Sequence, residues 1–219
     1  MSLADNWYVS KCDEVTILSP ETDCKFIYKQ GVIEALLILN SKGIPVPPHT
    51  VIIFPVSYSN NEIPVSYIEQ NLIFLFPLEN ISYSIREYVI YQYLHELGHL
   101  LTGSFPQSYK WVGELLACSC NFFFFPKDNQ VGSFYDVCIT KETLDFEQIK
   151  SNFRLISTCL ADNQRMVYKD NYQIKSALYS YSLEHSDFDF VSLLKQFSAT
   201  KHLPQEQENL ITQIINLFT

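Results

Sequence analysis

The 219-residue chain is short of several things, and each shortage removes a class of protein. No apolar run reaches the roughly 18 residues that a membrane-spanning helix needs. No internal repeat and no low-complexity linker interrupts the sequence, so a repeat array is not expected. The opening Met1-Ser2-Leu3-Ala4-Asp5-Asn6-Trp7 has neither the basic segment nor the apolar segment of a Sec-type signal peptide. Basic residues are few: 15 Lys and Arg stand against 24 Asp and Glu, a formal net charge of −9. That charge repels phosphate backbones and anionic lipid surfaces, so neither nucleic acid nor a membrane is an expected partner.

What is present fits a globular chain. Apolar residues make up 47% and charged residues 18%. A chain of this size buries roughly 70% of the surface its unfolded form exposes, so its core needs no disulfide or structural metal. There are six cysteines, Cys12, Cys24, Cys118, Cys120, Cys138 and Cys159. Without an oxidising compartment, reduced thiols are the default. Cys118-Ser119-Cys120 reads as small side chains packed on a buried helix.

Periodicity sets out the elements. Residues 26–42 carry Val32, Ile33, Leu36 and Leu37 at helical spacing, and Gly43 is placed to end that helix. The prolines of residues 44–48 demand an extended connector. Residues 51–56 and 71–76 read as strands. Pro77 suggests that the second is an edge strand, open to pairing with an extended peptide. The clearest helix is residues 85–102. Ser84 and Glu87 form a capping box ahead of it, and Gly103 suits the left-handed residue after its last turn. Val89, Ile90, Tyr93, Leu94, Leu97, Leu100 and Leu101 form its apolar face. Tyr88, Gln92, His95, His99 and Thr102 lie on the other side. A further helix spans residues 112–125 and stops at Pro126. Helical spacing then recurs at 143–160, 172–184, 188–197 and 205–218. Strands early and helices late predict an α+β fold. A boundary near residue 140 would separate a zincin-like catalytic region, 1–140, from a helical C-terminal region, 141–219, packed on the same domain.

His95-Glu96-Leu97-Gly98-His99 carries the chemistry. Helical residues four apart lie on one face, about 6 Å from each other. Two imidazoles so placed reach one zinc ion at about 2.0–2.1 Å. Glu96, turned about 100° round the helix, is placed beside the ion to take a proton from its water and pass it to a leaving amine. A chance match occurs in roughly one protein per hundred-odd of this length.

This motif resembles that of the zincins, in which the helix packs under an antiparallel edge strand that holds the peptide. The resemblance implies a zincin-like core with a small antiparallel sheet, the motif helix, and a largely helical C-terminal part. It also implies a zinc-dependent endopeptidase with zinc as cofactor and a protein as substrate. The metzincin continuation is absent: Thr102 and Phe105 stand where Gly and a third His belong, and Met166 is in no evident Met-turn. Glu114-Leu115-Leu116-Ala117 is similar to the gluzincin glutamate helix, which makes Glu114 the third ligand beside His95 and His99. The fourteen residues between His99 and Glu114 are somewhat short for that group.

Over residues 94–100 and in general layout the chain also resembles bacterial effector proteases that act on host actin. That implies a secreted effector working in the host cytoplasm. His-Glu-Leu-Gly-His, Glu114, Ala117 and Pro126 are equally compatible with ImmA/IrrE-type regulatory proteases, which implies a bacterial cytoplasmic protein and substrate. A zincin-like scaffold that binds a partner without hydrolysis is the third reading, and the intact Glu96 argues against it.

Asp136 and Glu184 are reserve ligands. His185, Tyr135 and Tyr168 are candidate oxyanion stabilisers. His49 and His202 read as surface residues. Phe122 to Phe125 read as core, although four consecutive aromatics cannot all face one way, and some are free to line a substrate pocket.

Overall fold

A computed structural model describes residues 7–54, 66–77, 84–125, 130–132, 138–140 and 176–218. The fold is α+β, with the strands early and helices dominating later. By its contacts the chain divides into two compact units, residues 1–100 and 101–219. The expected boundary at 140/141 opens onto residues outside the described ones.

The first unit is built on a five-stranded sheet of β1 (Trp7–Cys12), β2 (Val15–Pro20), β3 (His49–Ile53), β4 (Ser66–Glu69) and β5 (Leu72–Leu75), in the order β1-β2-β3-β5-β4. Two tight turns join antiparallel neighbours. Asp13, φ 51°, turns β1 into β2, and Gln70, φ 55°, turns β4 into β5. The other two pairs, β2 with β3 and β3 with β5, are parallel. The sheet is therefore mixed, which corrects the small antiparallel sheet the resemblance implied. Parallel neighbours need a crossover, and the helix α1 (Lys25–Ser41) supplies it between β2 and β3.

A second correction concerns residues 71–76. β5 is hydrogen-bonded on both sides, to β3 and to β4, so it is not an edge. Pro77 lies two residues beyond Leu75, the last paired residue, so its missing N–H removes no ladder bond. Its position carries no information about the sheet edge.

Alternation puts Val15, Ile17, Val51, Ile53, Ile73 and Leu75 into the core. α1 adds Tyr28, Val32, Ala35, Leu36 and Leu39 and ends at Gly43, φ 63°. α2 (Ile85–Thr102) belongs to the first unit except for its final two residues. Its capping box forms as expected: the Ser84 N–H donates to Glu87 Oε2 at 3.2 Å, and the Glu87 N–H donates to Ser84 Oγ at 3.3 Å. The expected two-faced helix is not what is seen. Every residue from Tyr88 to Leu94 is buried, including Tyr88 and Gln92 from the supposed second face. α2 runs through the interior with neighbours on all sides there. α1 comes close enough that a Cβ on Gly31 would stand 2.9 Å from Val89 Cβ.

In the second unit, α3 (Lys110–Phe124) buries Val112, Gly113 and the run from Leu115 to Phe122. Cys118 and Cys120 lie inside as free thiols, as their spacing predicted, and burial pushes the Cys120 thiol far above its ordinary pKa. In the aromatic run Phe122 and Phe124 are buried, and Phe123 and Phe125 are half-buried. Phe123 stacks on Phe190 at 4.4 Å and meets Tyr179 edge-on at 5.3 Å, while Phe122 packs on Tyr179 at 5.9 Å. β6 (Gln130–Gly132) pairs antiparallel with β7 (Cys138–Thr140). Then follow α4 (Ala177–Glu184), α5 (Phe190–Thr200) and α6 (Pro204–Leu217). The expected helix at 143–160 lies outside the described residues.

Candidate metal centre

The site begins with the way α2 is held. The Tyr93 hydroxyl donates to His49 Nε2 at 2.7 Å, and His49 Nδ1–H donates to the Pro47 carbonyl at 2.7 Å. Two ordered acceptor–donor contacts fix the neutral Nδ1–H tautomer. His49 is only 5% exposed, which corrects its reading as a surface residue. Burial holds its pKa below the ordinary imidazole value, and the Pro47 carbonyl opposes that shift without overcoming it. Burial likewise pushes the Tyr93 phenol well above its usual range, so it stays a donor. One residue earlier, the Gln92 amide donates to the Phe76 carbonyl at 3.3 Å. The motif helix is thus tied by buried side chains to both ends of the parallel strand pair β3 and β5. No short-range pattern announces these contacts: His49 and Tyr93 are 44 residues apart.

On the helix so placed, His95 and His99 bring their Nε2 atoms to 3.3 Å, with ring planes at 84°. Two zinc–nitrogen bonds of about 2.05 Å meeting at a tetrahedral angle put their nitrogens about 3.3–3.4 Å apart. The separation is that of two ligands of one ion, and the two nitrogens are also within reach of a direct hydrogen bond. Both rings are half-buried. Glu96 is 3% exposed, and its Oε1 lies 3.9 Å from His95 Nε2, beyond direct hydrogen bonding. The carboxylate stands next to the two-nitrogen locus rather than in it.

Glu114 is the exposed residue between buried Gly113 and Leu115. His95, His99 and Glu114 form a group able to hold a metal ion, with their ligand atoms all within 4.8 Å of one another. The donor set, two imidazoles and a carboxylate, suits zinc with one position left open.

The other candidates fare differently. His185 Nδ1–H donates to the Tyr181 carbonyl at 3.0 Å and its ring stacks on Tyr181 at 3.8 Å, which places it at the end of α4. Glu184 and His202 are exposed. Tyr135, Asp136, Met166 and Tyr168 lie outside the described residues. No helix among the described residues is long and apolar enough to cross a membrane. Compared with protein families and with curated proteins, the chain matches none.

Proposed function

We propose that the protein is a zinc-dependent endopeptidase in which His95, His99 and Glu114 hold the ion and Glu96 moves the proton. One observation carries this reading: the 3.3 Å approach of His95 Nε2 to His99 Nε2 on a helix fixed by buried hydrogen bonds. When bound, zinc supplies Lewis acidity, which polarises a carbonyl and brings the pKa of water towards 7.

The chain's own part is to orient and to carry the proton. The i, i+4 spacing presents both imidazoles along one face. Glu96, one position on, accepts a proton at its carboxylate as water attacks the peptide carbonyl carbon. It returns that proton to the amine nitrogen as the C–N bond breaks. Its burial supports this role over that of a binding scaffold. Burying a carboxylate is costly, and a scaffold gains nothing from it.

The substrate class we infer is a protein, with host actin the first to test, on the likeness of the motif and layout to actin-directed effectors. The same likeness suggests delivery into a host cytoplasm. An acidic chain is not steered to acidic actin by net charge, so recognition rests on local surfaces. The test exposes host and bacterial lysates, and purified monomeric actin, to wild type and to Glu96→Ala, with new N-termini read by mass spectrometry. Wild type generates specific termini and Glu96→Ala loses them by about a hundredfold or more. Equal cleavage by both proteins would remove Glu96 from the mechanism, and no cleavage by either would remove the protease reading. Intact actin beside other cleaved proteins would remove actin alone.

A further inference from the structure

α2 is held at two successive residues, both buried and both just ahead of the motif. The Tyr93 hydroxyl donates to His49 Nε2 at 2.7 Å, and His49, at the start of β3, donates from Nδ1 to the Pro47 carbonyl at 2.7 Å. Pro47 and Pro48 have fixed φ, so this anchor stands on stiff backbone. The Gln92 amide donates to the carbonyl of Phe76, one residue beyond β5, at 3.3 Å. All of these groups lie within the first unit.

Residues 92 and 93 are about 100° apart around the helix. One anchor would leave α2 free to swing about it, whereas two on different sides fix its rotation about its own axis. Rotation matters little to the two imidazoles as a pair, because their spacing is set within the helix. It matters to what they face. Side-chain ends stand about 5–6 Å from a helix axis, so a turn of about 10° carries them about 1 Å sideways. A shift of about 1 Å between reacting groups can cost about a hundredfold in rate. β5, which ends just before the Gln92 anchor, pairs with β4, and among the described residues β4 ends the sheet on that side. An extended peptide can add to such an edge.

We propose that His49 and Gln92 are positioning residues: their bonds, one at the start of β3 and one just past β5, set the rotation of α2 and so align Glu96 and the two histidines with a peptide docked at β4. The inference rests on the reading of the protein as a peptidase. The anchors act on the approach of the catalytic face to the scissile bond, and neither the docking edge nor the spacing of the two histidines depends on them.

The experiment uses the full chain and a fluorogenic peptide copied from the site that wild type cuts most in lysate. Tyr93→Phe removes one oxygen atom and releases His49 from the helix. Gln92→Met keeps the volume and removes the amide. Both are measured singly and together for kcat, KM and zinc affinity, the last by competition with a chelator. Ile17→Val trims a buried β2 side chain and controls for general loss of stability. Each single variant should lower kcat about tenfold and the double variant about a hundredfold or more. KM should stay within about threefold and zinc affinity within about twofold, because docking and ligand spacing are untouched. Ile17→Val keeps wild-type kcat. Tyr93→Phe, a change of one atom, carries the test if Gln92→Met fails to fold. Wild-type kcat in the folded variants, even with a lowered Tm, would overturn the proposal. So would a fall in zinc affinity that matches the fall in kcat, or an equal loss in Ile17→Val. Wild type that cuts nothing in lysate would remove the peptidase reading and this inference with it, whereas active wild type with unaffected variants would remove the inference alone.

Discussion

At the scale of single residues, the pair His49 and Tyr93 bears most of the local consequence. Replacing His49 with Ala leaves the Tyr93 hydroxyl buried without its acceptor, at a cost of about 1–3 kcal/mol. The expected result is a clear fall in Tm for the metal-free protein. The same histidine makes stability depend on pH. Its folded pKa is below the ordinary value of about 6.5, so the unfolded chain takes up a proton that the folded chain refuses. Stability from this group is complete above about pH 6.5 and falls as pH drops from there towards the lowered folded value. Urea unfolding of wild type and His49→Gln between pH 8 and pH 5 should show the shallower decline in the variant. Parallel curves would mean that His49 does not titrate differently on folding. Nothing adjacent in sequence reveals this role, because the partner is supplied by α2 across the fold. Glu96 shows the converse. Its place beside two histidines at fixed spacing was legible from helical geometry alone, whereas the exposure of Glu114 depends on which face α3 buries.

At the scale of elements, α2 was readable to the residue because each of its boundaries has a local chemical cause. Ser84 and Glu87 begin it and Gly103 ends it. β5 was readable as a strand but not as an interior one. An edge is a property of neighbours, and the partner β4 comes from a segment with no strong alternation. The β1–β2 hairpin escaped notice because Asp13-Glu14 lacks the glycine that usually marks such a turn. Two predictions follow from the observed packing. Gly31→Ala should gain up to about 1 kcal/mol in helix propensity. It should lose about 1–3 kcal/mol to overpacking, since the new methyl would meet Val89 at 2.9 Å and the Arg86 carbonyl at 3.0 Å. The overpacking term wins, and a raised Tm for Gly31→Ala would show that α1 and α2 can separate freely. The second concerns where an extended peptide docks. With β5 paired on both sides, β4 ends the sheet beside it and is the strand we expect a substrate to join. A peptide-based, zinc-chelating inhibitor should slow amide exchange in β4 and leave β5 unchanged. Protection confined to β1, the opposite end of the sheet, would contradict this.

At the scale of the whole molecule, early strands and late helices were enough to give α+β. The parallel pairing was not, because it depends on how α1 crosses between β2 and β3. Of the aromatic run assigned to a core, Phe122 and Phe124 are buried, and Phe122 and Phe123 find partners on α4 and α5. What unites these features with chemistry is the claim that one helix offers two imidazoles to a single zinc ion. Metal content measured on dialysed wild type, His95→Ala and His99→Ala tests it most directly. The expected result is about one zinc per wild-type chain and near-complete loss in each variant, in samples that remain folded. Wild-type levels of zinc in both variants, or none in wild type supplied with zinc, would contradict it.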